Sequence, residues 1–341
     1  MNDPQPEGHM ASHIGRRKFL ATLGGAAAAW PLVAQAQQPT MPVVGLVNGR
    51  AAQDAVRNAA AFRSGLNETG YVENQNVMVE YHWLEGQYNR LPSLMDELIR
   101  RRVAVIATPA SRLGAQAAKA ATSTIPIVFA VGDDPVKLGL VASLARPGGN
   151  ATGVNNFATE VVAKRLALLH DLLPKAVRIA VLVNPANAPV TEATLRDIPE
   201  AASALGLQIR VLNASTSREI EAAFTTLGRD PADALLVASD GFFVSRRVQF
   251  AVLAVRHAIP AIYAVREYPE VGGLMSYGTD ALDPWHQVGI YTGQILKGAK
   301  PADLPVLQST KFEFVINMQT VRALGIEVQN SIQLLADEVI E

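Results

Sequence analysis

The feature that most constrains the fold of this chain is an alternation of short apolar runs with longer helical patterns, which occurs twice along the sequence. Runs rich in Val, Ile and Leu occupy residues 43–47, 77–83, 103–108 and 125–131. The pattern begins again with runs at 179–183, 207–212, 234–237 and 261–265. Such alternation predicts parallel β-sheets with crossover helices. Because the pattern restarts, two Rossmann-like lobes of the α/β class are predicted rather than one large sheet.

Amphipathic segments between these runs predict the crossover helices. In the first half they cover residues 55–68, 90–101, 113–121 and 136–144, and in the second half 191–205, 218–227 and 245–257. The helix predicted at 136–144 follows Asp134, an N-cap residue, and Pro135, which the first turn tolerates. We therefore expect helices on both faces of each sheet.

Segments rich in glycine and proline mark where the chain is expected to pass between the lobes. Residues 146–153 interrupt the α/β pattern, 272–278 form a short apolar strand between glycines, and 301–305 precede a last strand. A few linking residues of this kind can form a hinge. We therefore predict lobe 1 from residues 41–153 and 274–303, and lobe 2 from residues 154–273 and 304–341.

Residues 1–36 have the composition of a signal peptide. A basic cluster at residues 16–18 precedes an apolar stretch of small residues, and residues 34–36 match the small-x-small cleavage pattern. The paired arginines resemble a twin-arginine signal, with the general export route as the alternative. A membrane anchor would need about 20 strongly apolar residues, and this stretch is interrupted by glycine and proline. The mature protein is therefore expected in the periplasm.

The charge balance and the lack of cysteine exclude several classes of function. The chain has 30 Lys and Arg against 31 Asp and Glu, so no strong field would attract it to nucleic acid. With 0 Cys it has neither a thiolate nucleophile nor a cysteine-type zinc site. Glycine motifs for nucleotides, a nucleophile elbow and histidine pairs with metal-ligand spacing are absent from the sequence. We therefore expect no catalytic residue, no cofactor and no metal.

The predicted strand order also predicts where a ligand would bind. For the order 2-1-3-4-5 in each lobe, the switch point lies between the loops after the first and third strands. These loops, the loop after the fourth strand and the crossing strand contain the candidate residues Asn48, Thr108, Pro109, Ala110, Ser111, Asp133, Asn184, Asn187, Asp240 and Tyr277. Helix N-termini could hold a carboxylate, and Asp240 could pair with an ammonium group. Taken singly, Asn, Ser and Asp at such positions are more often helix caps than ligand contacts.

Several short motifs occur along the chain, at residues 62–66, 70–73, 125–129, 134–136, 146–153 and 276–278. In these motifs and in their order, over nearly all of residues 41–341, the chain resembles the ABC transporter substrate-binding proteins that include the tryptophan-binding TrpX-type proteins. The resemblance implies a type I periplasmic-binding fold, and in some members an aromatic amino acid as ligand. It implies cleft positions for the candidate residues other than Thr108. Residues 239–243 differ from the Asp-Asn pattern of the aromatic amino-acid binders, so a small organic acid is an equal alternative.

These observations predict an extracytoplasmic solute-binding protein that captures an amino acid or a small carboxylate between two lobes. The resemblance implies that its partners are an ABC permease and its ATPase in the inner membrane. Nucleic acid is not expected as a partner, and the transport role predicts a monomer. Two alternatives stay open: an exported α/β hydrolase or transferase with its acid or base at Asp133 or Asp240, and a ligand-sensing domain of a membrane receptor.

Overall fold

Two mostly parallel β-sheets with helices on their faces form the described part of the chain. The computed structural model describes residues 41–157, 161–280, 282–309 and 312–341. The first sheet has six strands and the second has seven. The α/β fold class with two lobes is therefore confirmed, while the predicted signal peptide at 1–36 lies outside the described residues.

Lobe 1 is built from strands that alternate with helices from the start of the described chain. Its elements are β1 (Val43–Asn48), α1 (Val56–Glu68), β2 (Met78–Trp83), α2 (Leu91–Arg100), β3 (Val105–Thr108), α3 (Arg112–Ala121), β4 (Ile127–Val131) and β5 (Ala151–Asn155). The same alternation then builds lobe 2. Its elements are α4 (Val162–Leu172), β6 (Arg178–Val183), α5 (Ala188–Ala204), β7 (Gln208–Asn213), α6 (Ser217–Arg229), β8 (Ala234–Val237), α7 (Gly241–Ser245), α8 (Arg247–Arg256), β9 (Ala261–Tyr263) and β10 (Met275–Thr279).

The C-terminal part of the chain contributes to both lobes. It contains α9 (Asp283–Leu296), β11 (Leu307–Gln308), β12 (Phe312–Asn317), α10 (Met318–Ala323), α11 (Asn330–Leu335) and β13 (Glu338–Ile340). Helix α9 packs along α1 in lobe 1. Strand β11 pairs with β5 in the first sheet, and β12 pairs with β10 in the second. The chain therefore passes between the sheets after β5, after β10 and after β11.

The strand order in both sheets agrees with the prediction. The first sheet runs β11-β5-β4-β3-β1-β2 and the second runs β13-β12-β10-β9-β8-β6-β7. The first five strands of each lobe thus take the order 2-1-3-4-5. Strand β12 is antiparallel to β10, and the other strand pairs formed by described residues are parallel. The carboxyl ends of the central strands therefore lie at one edge in each lobe, which is where a doubly wound sheet binds ligands.

Apolar side chains fill both faces of each sheet, as expected for parallel strands covered by helices. In lobe 1, Val44 and Val105 pack against α1 and α9, whereas Val47 and Ile106 face α2 and α3. In lobe 2, one cluster lies under α4 and α5 and the other lies under α6 and α8. None of the helices in the described ranges is long and apolar enough to span a membrane.

Two details of the predicted fold are wrong. Residues 136–144 form turns instead of a helix, because Gly139 takes a positive φ of 69° and the Leu140 amide bonds to the Pro135 carbonyl. The lobe boundaries also differ from those predicted, since strand β10 lies in the second sheet while β11 and the end of β5 lie in the first. Pairing partners decide the sheet to which a strand belongs, and a short apolar run has no local signal for them.

Candidate functional site

A crevice lies between the carboxyl ends of the strands of the two lobes. Lobe 1 lines it with residues that follow β1, β3 and β4, and lobe 2 lines it with residues that follow β6 and β8. The lining residues include Gly49, Tyr88, Ala110, Ser111, Arg112, Asp133, Asn156, Asn187, Ser239, Asp240 and Gly241. A neighbouring cavity shares Ala110, Asn156 and Asp240 and extends to Arg50 and Trp285. The crevice is therefore at the position that the strand order predicts.

Asp240 is the centre of a hydrogen-bond network that joins the two lobes. Its Oδ1 accepts from Asn184 Nδ2 at 3.1 Å and from the Phe243 amide at 3.1 Å, which caps α7. Its Oδ2 accepts from Asn187 Nδ2 at 2.8 Å and from Tyr88 Oη at 3.1 Å. A carboxylate offers about four lone-pair sites, so protein donors already occupy the acceptor capacity of Asp240. In this structure protein donors therefore occupy the oxygens through which Asp240 is expected to pair with an ammonium group, and Asp240 organises the crevice wall.

Tyr88 reaches this network from lobe 1, on the segment between β2 and α2. Burial first, and the Asp240 carboxylate second, raise the pKa of Tyr88 well above its ordinary value. The hydroxyl therefore stays protonated and donates its hydrogen bond to Asp240. A Cβ at Gly49 would lie 2.7 Å from Tyr88 Oη, so glycine is needed where the ring passes over the loop after β1. Tyr88 was missed because it follows an edge strand and not a switch-point loop.

Asn48 fixes the two lobe 1 loops against each other. Its Nδ2 donates to the Pro109 carbonyl at 2.5 Å, and its Oδ1 accepts from the Arg50 amide at 2.9 Å. Ser111 Oγ accepts from the Gly114 amide at 3.2 Å and caps α3. Between them, Ala110 has a positive φ of 50°, which is costly for a residue with a Cβ and is typical of functional loops.

Arg112 and Asp133 form a second contact of the crevice wall. Arg112 Nη1 lies 2.8 Å from Asp133 Oδ1 and also donates to the Pro189 carbonyl of lobe 2 at 3.0 Å. Both side chains are mostly buried, with exposed fractions of 16% and 12%. Arg112 stands at the first position of α3, where a cation opposes the helix dipole. That unfavourable position is the signal by which sequence reasoning could have found it.

The candidate residues from the sequence fall into three groups. Those that line the crevice are Ala110, Ser111, Asp133, Asn187 and Asp240. Those that lie behind its wall are Asn48, Thr108, Pro109 and Asn184, of which Asn48 and Asn184 hold lining loops by hydrogen bonds. Tyr277 belongs to neither group: its ring stacks on Phe312 at 5.9 Å and its carbonyl accepts from Arg165 Nε at 2.7 Å. Tyr277 therefore packs beside the core of lobe 2 and does not face the crevice.

Further direct contacts join the two lobes beside the crevice. Arg50 donates from Nη1 and Nη2 to Glu267 Oε1, both at 3.1 Å, and it also contacts Asn58 at 3.2 Å. Other interlobe contacts include Ala51 N to Ser245 Oγ at 2.9 Å, Arg247 Nη1 to Asp54 Oδ1 at 2.7 Å and, at the surface, Arg57 Nη1 to Glu270 Oε2 at 3.1 Å. Within the described ranges, no group of three or more His, Asp or Glu side chains is placed to hold a metal ion.

Two α/β lobes, linked by returning chain segments and lining a polar crevice between them, define a solute-binding protein of the type I periplasmic-binding fold. The chain belongs to the ABC transporter substrate binding protein family, whose model matches residues 40–340.

Relatives and solved structures agree with this assignment. A tyrosine-binding protein of Clostridioides difficile (strain R20291) is 29% identical over 272 residues, which cover 78% of this chain and 76% of that protein. A Streptococcus pneumonia ABC domain crystallised with L-Trp superposes with a TM-score of 0.75 and 26% identity. A conserved domain protein from Vibrio cholerae superposes with a TM-score of 0.77 and 26% identity. Each comparison covers 88% of this chain and 99% of the solved structure.

Proposed function

We propose that this protein captures a small organic solute outside the cytoplasm and delivers it to an ABC permease driven by a separate ATPase. The solute is an amino acid, aromatic ones included, or a small carboxylate. The observation that carries the proposal is that both lobes line one polar crevice and touch each other directly through its wall, at Tyr88 and Asp240. A solute held there would contact both lobes at once, so binding favours the closed arrangement.

The proposed location and partners have support beyond the crevice. Residues 1–36 have the composition of a cleavable signal, and the chain belongs to a transporter family. Aromatic amino acids are the first candidates, because one relative is named for tyrosine and one solved structure contains L-Trp. The protein is proposed to act as a periplasmic monomer.

A thermal-shift screen tests solute capture. A solute that binds only the folded protein stabilises it by about 2.7 kcal/mol at a hundredfold excess over its dissociation constant. We expect at least one amino acid or small carboxylate to raise the melting temperature, and small-angle X-ray scattering to show a more compact molecule in its presence. If no compound of a broad solute library shifts melting, or if mass spectrometry shows that the bound compound is converted, the proposed function is wrong.

A further inference from the structure

The pair formed by Arg112 and Asp133 is incomplete on both sides. Arg112 uses Nη1 for Asp133 and for the Pro189 carbonyl, but its buried Nε has no hydrogen-bond partner among the described residues. Asp133 pairs with Arg112 through Oδ1, and its buried Oδ2 has no hydrogen-bond partner among the described residues. One ion pair therefore contains a buried donor, Arg112 Nε, and a buried acceptor, Asp133 Oδ2, that are both left over. Leaving such groups unpaired is costly, so a site that has both implies a ligand that supplies both partners.

The position of this pair suits solute recognition. Arg112 and Asp133 line the inner crevice, and the same two residues line an outer charged cavity with Lys137, Arg196 and Asp197. The pair therefore stands where a solute would pass from the outside into the crevice. The helix does not explain the position of Arg112, because the dipole of α3 disfavours a cation at its first position.

Opening of the lobes would free the pair for a solute. The contact between Arg112 and the Pro189 carbonyl joins lobe 1 to lobe 2 at 3.0 Å, so it breaks when the lobes separate. A carboxylate is a stronger acceptor for a guanidinium group than a neutral carbonyl is, and it can bind in a bidentate manner. A solute carboxylate can thus replace Pro189 on Arg112, while Asp133 Oδ2 is a charged acceptor for an ammonium group.

We propose that Arg112 and Asp133 recognise the two charged ends of a zwitterionic solute, and that the substrate class is therefore an α-amino acid. This assignment rests on the proposed function and narrows it, since it excludes simple carboxylates. Arg112 binds the solute carboxylate and Asp133 binds the solute ammonium group. The mutual contact of the two side chains holds both in place before the solute arrives.

Calorimetry with matched analogues tests the assignment. The probes are L-tyrosine, tyramine, which lacks the carboxylate, and 3-(4-hydroxyphenyl)propionate, which lacks the amine; L-tryptophan, tryptamine and 3-indolepropionate form a second series. We expect the wild-type protein to bind an amino acid about 100-fold or more tightly than either analogue. Arg112→Gln should bind L-tyrosine no more tightly than tyramine, but still more tightly than 3-(4-hydroxyphenyl)propionate. Asp133→Asn should show the opposite pattern.

Controls separate recognition from structural damage. Arg210 lies on the edge strand β7 and pairs with Asp230 at 2.6 Å. Arg210→Gln removes this ion pair and should leave the affinities for all probes unchanged. If Arg112→Gln or Asp133→Asn does not fold, Arg112→Lys and Asp133→Glu keep the charges and should retain a preference for the zwitterion. Equal weakening of the three ligands in a series by both variants would overturn the assignment.

The wild-type protein separates failure of this assignment from failure of the proposed function. If the wild-type protein binds the amine analogue or the acid analogue as tightly as the amino acid, the zwitterion assignment is wrong, whereas the proposed capture of a solute still holds. The same holds if the solute screen finds only simple carboxylates. Absence of binding by any solute overturns both.

Discussion

Asp240 shows how one side chain can join the two lobes and cap a helix at the same time. It accepts from Asn184, Asn187, Phe243 and Tyr88, and it is 5% exposed. We expect Asp240→Ala to lower the free energy of unfolding by about 2–4 kcal/mol, because it removes a helix cap and leaves buried donors without acceptors. Chemical denaturation measures the change.

The matched control for this variant is Asp230→Ala. The Asp230 side chain is 67% exposed and pairs with Arg210 on the surface. An exposed ion pair contributes at most about 1 kcal/mol, so this variant should remain close to wild type. Equal losses in the two variants would contradict the central role of Asp240.

Tyr88 offers a test of closure that changes a single atom. Tyr88→Phe removes the hydroxyl that bonds to Asp240 across the crevice and keeps the ring. A hydrogen bond to a charged group contributes about 1.5–3 kcal/mol, so we expect solute affinity to fall by about 10- to 100-fold. Stability without solute should change less, because the open form lets Asp240 bond to water. Calorimetry measures the solute affinity, and thermal melting without solute measures the stability.

Tyr71→Phe is the control for that experiment. The Tyr71 hydroxyl donates to the Leu296 carbonyl at 2.9 Å, entirely within lobe 1. Its loss should reduce stability and leave affinity unchanged, which is the reverse of the pattern for Tyr88. If both variants behave alike, the contact between Tyr88 and Asp240 has no special part in closure.

At the scale of single residues, the strand pattern predicts the position of the crevice better than it predicts the role of each lining residue. Asp133, Asn187 and Asp240 do line the crevice, because the switch-point rule depends only on strand order. That Asp240 is saturated by protein donors depends on Tyr88, which is 152 residues away in the sequence. Such a contact has no local pattern.

At the scale of elements, the packing of α1 on α9 depends on glycine. A Cβ at Gly65 would lie 2.0 Å from the His286 carbonyl, so the helices approach too closely for any side chain there. We expect Gly65→Ala to destabilise the protein by about 2–3 kcal/mol through forced separation of the helices. Chemical denaturation with a fluorescence readout measures this.

Gly228→Ala in α6 is the corresponding control. A Cβ at Gly228 would meet His257 Nδ1 at 3.3 Å, a contact that a small shift of the side chain relieves. Alanine in a helix is favoured over glycine by about 0.5–1 kcal/mol, so this variant should be neutral or stabilising. A loss as large as that of Gly65→Ala would show that the close helix contact is not the cause.

The elements themselves were predicted well where the pattern was periodic and poorly where pairing decided. Strands β1 to β4 and β6 to β9 follow apolar runs that predict buried parallel strands. Strand β10 was assigned to lobe 1, yet it pairs with β9 and β12 of the second sheet. Its sequence fits either sheet, since only the partner strands distinguish them.

At the scale of the whole molecule, an ion pair between Arg50 and Glu267 holds the lobes together. The exposed fractions of the two side chains are 6% and 14%, and Glu267 comes from the opposite lobe. Glu267→Gln leaves the buried guanidinium group without its carboxylate, which is costly unless the lobes part and water enters. We therefore expect the ligand-free variant to be more open than the wild-type protein.

Fluorescence energy transfer can measure this opening, because the chain has 0 native cysteines and accepts unique labels. Arg100→Cys and Arg218→Cys place one label on an exposed residue of each lobe. Transfer efficiency should be lower in Glu267→Gln than in the wild-type protein and should recover with saturating solute. Glu270 pairs with Arg57, whose side chain is 63% exposed. Glu270→Gln should therefore change the transfer efficiency little. Equal efficiency in all three proteins would contradict the role of the Arg50 pair.

Periodicity along the chain is enough to predict the α/β class, the doubled pattern and, for a doubly wound strand order, the edge of each sheet where the crevice lies. These follow from periodicity and from the handedness of crossover connections, which act over short stretches of chain. Long-range packing sets the sheet to which β10 and β11 belong, the bond between Asp240 and Tyr88, and the contacts of Arg112 with Asp133 and with the opposite lobe. These contacts join residues far apart in the chain, and their energy depends on distances that exist only after the lobes have packed.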